Sequence, residues 1–152
     1  MKVLIVATCL LLSLPAVVGS AAGAVSAAPH AAPAEPLFPS VPPGGFPNRF
    51  PFGQCTWWAA YNRYVTWNGN ARDWLTNAQA EGVVTADRPS LGAIVVYRPG
   101  GAYSPYGHVA IVTAMTPASY SVSEMNAAGW GLVSARVIVW PDPDVLGFIP
   151  RS

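Results

Sequence analysis

Cysteine is scarce in this chain of 152 residues, which has two, Cys9 and Cys55. Lys2 is the lone lysine, histidine stops at His30 and His108, and charged residues make up 10% of the sequence. These scarcities exclude some function classes. With a formal net charge of +1 there is no basic surplus to draw nucleic acid or an anionic membrane surface. Two cysteines, one of them near the N-terminus within an apolar run, do not make the disulfide framework of a small stapled domain.

What is present divides the chain into three parts. Met1-Lys2, the apolar run Val3 to Leu12, Pro15 and then a stretch of Ala, Gly and Ser have the layout of a secretory signal peptide over residues 1–24, with the cut after Ala24 or Ala27. A spanning helix needs about 20 apolar residues, and Ser13 and Pro15 interrupt this run too early. Cys9 lies inside the run and leaves with it, so Cys55 is expected to be the sole thiol of a mature chain with seven arginines and seven acids. Residues 25–47 carry Pro29, Pro33, Pro36, Pro39, Pro42, Pro43 and Pro47 and show no apolar period. They read as a semi-rigid spacer of extended polyproline character. Residues 48–152 then form one domain, expected to be secreted or wall-associated, monomeric and without stable membrane association.

Within that domain the pattern changes from helical to strand-like. Gln54 to Val65 lacks Gly and Pro and sets Cys55, Trp58, Asn62 and Val65 on one stripe, which predicts a helix. Asn70 with Asp73 three positions on starts a second helix, which buries Trp74 and Ala78 and stops at Gly82. After Pro89, the runs 93–97, 109–115, 120–126, 136–140 and 147–149 are short, rich in Val, Ile and aromatics, and bounded by Gly, Pro or Ser. Helices followed by strands imply an α+β domain with N-terminal helices packed on a mainly antiparallel sheet.

Chemistry gathers at three places. Pro51-Phe52-Gly53-Gln54-Cys55 delivers the cysteine to a helix start, where unpaired N–H groups and the helix dipole favour a negative charge. A buried small hydrophobe or an intermolecular bridge would be the bland role for such a residue. His30 lies in the spacer, so His108, at the mouth of a strand and after Gly107, is the histidine a rigid fold can aim at a thiol. Tyr120-Ser121-Val122-Ser123-Glu124-Met125-Asn126 alternates with period two and puts Glu124 and Asn126 on one face, where they can orient the imidazole. The Cys55 backbone N–H is the natural oxyanion donor, with the Gln54 side chain as a second. Trp57, Trp58, Tyr103 and Tyr106 are candidates to line a substrate cleft, core packing being the alternative for the two tryptophans. Arg136 either holds an acidic group of a substrate or makes a structural ion pair.

The sequence resembles the CHAP family, the cysteine- and histidine-dependent amidohydrolase/peptidase domains, across most of the chain after the spacer. The residues that carry the likeness are Gly53-Gln54-Cys55-Thr56-Trp57-Trp58, Gly69-Asn70-Ala71 with Trp74, Gly92-Ala93-Ile94, Gly107-His108-Val109-Ala110, Glu124-Met125-Asn126 and Arg136. The resemblance implies a papain-like fold of the NlpC/P60 type, with Cys55 as nucleophile, His108 as base and Glu124 and Asn126 as orienting residues. It implies bacterial peptidoglycan as the partner, cut at an N-acetylmuramoyl-L-alanine amide or in a stem or cross-bridge peptide. Some phage members carry an Asp-rich calcium loop before the cysteine; here Asn48-Arg49-Phe50-Pro51-Phe52 has no acid, and no spare Cys or His is left for zinc. No metal and no cofactor are therefore expected. The rival reading is a secreted wall-binding or adhesion module on the same scaffold with little activity. A third, an amidase for a small thiol–polyamine conjugate, fits poorly with export.

Overall fold

The computed structural model describes residues 41–151; the signal-like segment, the spacer up to residue 40 and Ser152 lie outside the described residues. The end of the spacer already belongs to the folded unit. Gly45 N–H donates to the Pro42 carbonyl at 2.8 Å, Phe46 N–H donates to the Tyr61 carbonyl at 2.9 Å, and the Phe46 ring sits edge-on to Tyr64.

The first helix, α1, spans Cys55–Asn62, shorter than the pattern predicts because Arg63 leaves helical geometry (φ −139°, ψ 136°). Arg63 is needed elsewhere: it is buried, and its guanidinium donates to the carbonyls of Gly92 and Pro150. Ala59 and Ala60 are almost fully buried, and such small side chains let α1 lie close on the sheet. A single 3-10 turn, Ala71–Asp73, leads into α2, Trp74–Ala80. Trp74 and Ala78 are its buried face, and Trp74 packs against Phe50 and Trp67.

Five strands follow: β1 Ile94–Tyr97, β2 His108–Met115, β3 Ser119–Met125, β4 Val133–Val139 and β5 Val145–Ile149. They form one sheet in the order β4-β3-β2-β1-β5, every neighbouring pair antiparallel. β1 is buried on both faces, which is why its sequence is an unbroken apolar run; β3 has one well-buried face, and its sequence alternates. Ile94, Val96, Val109 and Ile111 meet α1, α2 and Trp67 on one face. Val95, Tyr97, Ala110, Val112, Tyr120, Val122 and Phe148 pack on the other, under Tyr103 and Trp140. An α+β domain with helices first and an antiparallel sheet second is the architecture expected from the sequence.

Candidate active site

Three neighbouring strands supply one charged chain of contacts. Alternation along β2 puts His108 on the face of Ala110 and Val112, and along β3 it puts Glu124 on the face of Tyr120 and Val122. Ile111 lies opposite Ser123, and Val122 opposite Arg136, so His108, Glu124 and Arg136 fall on a diagonal across β2, β3 and β4. His108 Nε2 and Glu124 Oε2 are 2.9 Å apart. Arg136 Nε donates to Glu124 Oε1 at 2.7 Å and Nη2 to Oε2 at 3.2 Å, a two-pronged grip on the carboxylate. Of the two roles open to Arg136, the ion pair is the one observed. The histidine and the glutamate are both buried.

Tyr103 closes this chain from above. Its ring stacks on His108 with centroids 5.2 Å apart and planes 10° from parallel, and its hydroxyl accepts a hydrogen bond from Arg136 Nη2. The arginine also lies over the Tyr97 and Tyr103 rings at 5.5 and 5.4 Å. The loop bearing Tyr103 is anchored at its far end. Arg72 N–H donates to the Tyr106 carbonyl and the Arg72 guanidinium to that of Pro105. Gly107 makes this closeness feasible: at φ +75°, a Cβ there would stand 2.8 Å from both Arg72 N and Tyr97 O.

Cys55 reaches the imidazole from the helix layer, at the first position of α1. With Nε2 engaged by Glu124, Nδ1 is the ring nitrogen left over for Cys55. Burial works against a charged imidazole, but the bonds and charges of Cys55 and Glu124 outweigh it and raise the His108 pKa to about 9. Burial likewise works against an ionised Glu124, and His108 and Arg136 overcome it to hold the carboxyl below its usual range. Arg136 stays firmly cationic, because Glu124 and Tyr103 more than offset its partial burial.

The remaining residues divide. Asn126, just past β3 at φ +67°, does not reach for the imidazole; its Nδ2 donates to Gln54 Oε1 at 3.2 Å. Gln54 precedes the cysteine, so this bond ties down the side chain next to Cys55. Gln54, Tyr106, Cys55, His108, Glu124, Asn126 and Arg136 all line one cleft of about 670 Å³. Its other walls are mostly small: Gly69, Ala71, Ala102, Ala127, Ala128, Ser104, Ser134 and Ala135. Trp58 is outside that lining. Its ring stacks on Tyr61 and its indole N–H donates to Ser123 Oγ at 3.0 Å, so the packing role weighed for it is the one observed. Two features went unread in the sequence: Tyr103 as the roof of His108, and Trp130, which covers Gly53. Gly129 and Gly131 are a turn signal in the sequence, but a turn signal does not name the partner of Trp130. Among the described residues no group of three or more His, Cys, Asp or Glu is placed to hold a metal ion.

Comparison with known proteins assigns the chain to a family. The family profile described as the CHAP domain matches residues 45–126. A probable autolysin of Staphylococcus aureus is 35% identical over 102 residues, 62% of this chain and 35% of that protein. An N-acetylmuramoyl-L-alanine amidase domain-containing protein of the same organism is 34% identical over 110 residues, 66% of this chain and 18% of that one. The crystal structure of an N-acetylmuramoyl-L-alanine amidase from Staphylococcus aureus superposes with a TM-score of 0.51 at 36% identity, covering 57% of this chain and 27% of that one. The chain thus spans about a third or less of the length of these relatives.

Proposed function

The chain belongs to the CHAP domain family, and on that premise we propose that it is a secreted cysteine amidohydrolase that cuts amide bonds of bacterial peptidoglycan. The observation that carries the reading is the 2.9 Å contact of His108 Nε2 with buried Glu124, which leaves the opposite ring nitrogen for the cysteine of the same cleft. A solitary packed cysteine has no use for an imidazole whose far side is clamped by a carboxylate, itself clamped by an arginine. The names of the relatives, amidases and an autolysin, support the choice of substrate.

The chemistry is acyl transfer. The Cys55 sulfur, as thiolate beside the His108 imidazolium, attacks the amide carbonyl carbon. The oxyanion is held by the Cys55 backbone N–H and by Gln54 Nε2, the end of that amide left over when Asn126 donates to Oε1. The C–N bond breaks, the leaving amine takes the imidazolium proton, and a thioester remains. Water then adds to the thioester while Nδ1 takes its proton; the carboxylic acid leaves and the thiolate–imidazolium pair is restored. In this scheme Glu124 keeps the ring orientation and charge, and Asn126 positions Gln54 rather than His108. Residues 1–24 direct export and are removed, and the protein works at or near the cell wall.

Replacing Cys55 by Ala tests the reading. Release of soluble fragments from purified peptidoglycan is expected to fall by about a thousandfold or more, with folding retained. The same rate for variant and parent would leave the rival wall-binding module as the better account. Mass spectrometry of the fragments identifies the bond.

A further inference from the structure

Two loops meet beside the cysteine and turn aromatic rings outward. Trp130 lies over Gly53, where φ is +91°: a Cβ there would stand 2.6 Å from the indole Cε2 and 2.7 Å from Cζ2. Gly131 N–H donates to the Gly53 carbonyl at 3.2 Å and fixes the two loops together. One part of the indole is seated on backbone, yet Trp130 is 64% exposed. Phe52, edge-on to Trp57 at 4.8 Å, is 63% exposed, and Leu132 is 58% exposed. Single exposed apolar residues are ordinary, but large ones gathered at one spot mark a contact surface.

This platform is continuous with the cleft. Gln54 follows Gly53, and Asn126 to Ala128 lead up to Trp130; all four of those residues line the cleft. Gly53 and Cys55 are two residues apart, so their Cα atoms lie within about 7.6 Å. Residues 50–54 and 126–132 carry no charge. Uncharged, flat and aromatic surface suits a sugar ring, whose C–H groups pack on the π face while its hydroxyls remain in water. A membrane contact would need cationic neighbours, and a stable protein contact a wider area.

We propose that Trp130 and Phe52 form a glycan subsite that seats a sugar of the strand whose peptide enters the cleft. The proposal rests on the peptidoglycan reading above and sharpens it: amides near the glycan are cut in preference to those far out along a cross-bridge.

The test has a binding arm and a turnover arm. The full chain carrying Cys55→Ala is titrated calorimetrically with peptide-free glycan strands, beside the same chain also carrying Phe52→Ala or Trp130→Ala. Saturable binding, weakened about tenfold by either aromatic replacement, is the expected result. For turnover, a disaccharide–peptide is compared with the same peptide lacking sugar. The sugar is expected to raise kcat/KM about tenfold, and Phe52→Ala, which leaves Trp130 on Gly53, to remove that gain. No glycan binding by the Cys55→Ala chain, or equal binding by all three chains, overturns the subsite. So does binding to intact walls but not to bare glycan. Glycan binding with hydrolysis of neither substrate upholds the subsite and sinks the catalytic reading, so the two failures are distinguishable.

Discussion

The two halves of the site are built by different means. His108, Glu124 and Arg136 sit on three adjacent strands, the first two buried and the arginine half-buried, and the register of the sheet sets the distances between them. Gln54, Asn126 and Trp130 sit on loops, joined by one side-chain hydrogen bond of 3.2 Å, one backbone bond of 3.2 Å and a ring laid over a glycine. In the strand half, the polar contacts are part of the core, so function and folding share the same atoms. In the loop half the contacts lie at the rim, so the fold is expected to tolerate their loss. The charged groups stand on paired strands, and the uncharged amides on loops.

Glu124→Gln should break the strand half most severely. It leaves the His108 imidazolium and Arg136 sharing a neutral amide inside the protein. Urea denaturation at pH 7 is expected to show a loss of roughly 2–4 kcal/mol, with kcat reduced about a hundredfold. Unchanged stability would mean that the strands do not depend on this pairing.

A pH series sharpens the same half. His108 has a folded pKa raised to about 9 from an ordinary 6.5, so its contribution to stability is full below about 6.5 and is lost as pH rises through about 9. Glu124, held low, contributes above its ordinary range and loses that contribution as pH falls through its lowered value. Both are fully present in mildly acidic solution. Turnover is expected to fall on the alkaline side near pH 9, as the imidazolium that protonates the leaving amine disappears. A profile still rising through pH 10 would contradict the proposed pair.

The mildest change in stability belongs to the loop half. Asn126→Asp keeps a residue type that tolerates φ +67° and keeps a partner for Gln54, but now an acceptor only. The Gln54 amide then turns its NH2 to residue 126 and its oxygen to the cleft, facing the oxyanion. The expected outcome is a loss of about a hundredfold in kcat with stability changed by less than about 1 kcal/mol. A stability loss equal to that of Glu124→Gln would erase the distinction between the halves.

The legible parts of this protein are those where local pattern and tertiary role coincide. The unbroken apolar run of β1 and the alternation of β3 fix their burial, and Cys55, His108 and Glu124 stand at element starts or on a strand face whose direction follows from period alone. Asn126 departs from what period alone implies. Period two puts it on the face of Glu124, but the chain leaves β-geometry there and the side chain swings to Gln54, 72 residues away. Trp58 shares the stripe of Cys55 by helical spacing, yet its indole is claimed by Ser123 of β3. Arg136, Tyr103 and Trp130 depend on which strand neighbours which and which loop covers which. Local pattern along one chain carries no signal for that.

The cleft walls have a further meaning for how this fold can change. Ala102, Ala127, Ala128 and Ala135 each present a single methyl to a space of about 670 Å³, and none of them bonds to the charged chain through a side chain. A larger residue at any of them would subtract volume at one place and leave the His108–Glu124–Arg136 register alone. On the proposed function, selectivity for one bond over another would lie in room left empty, open to change one side chain at a time while that register stays fixed.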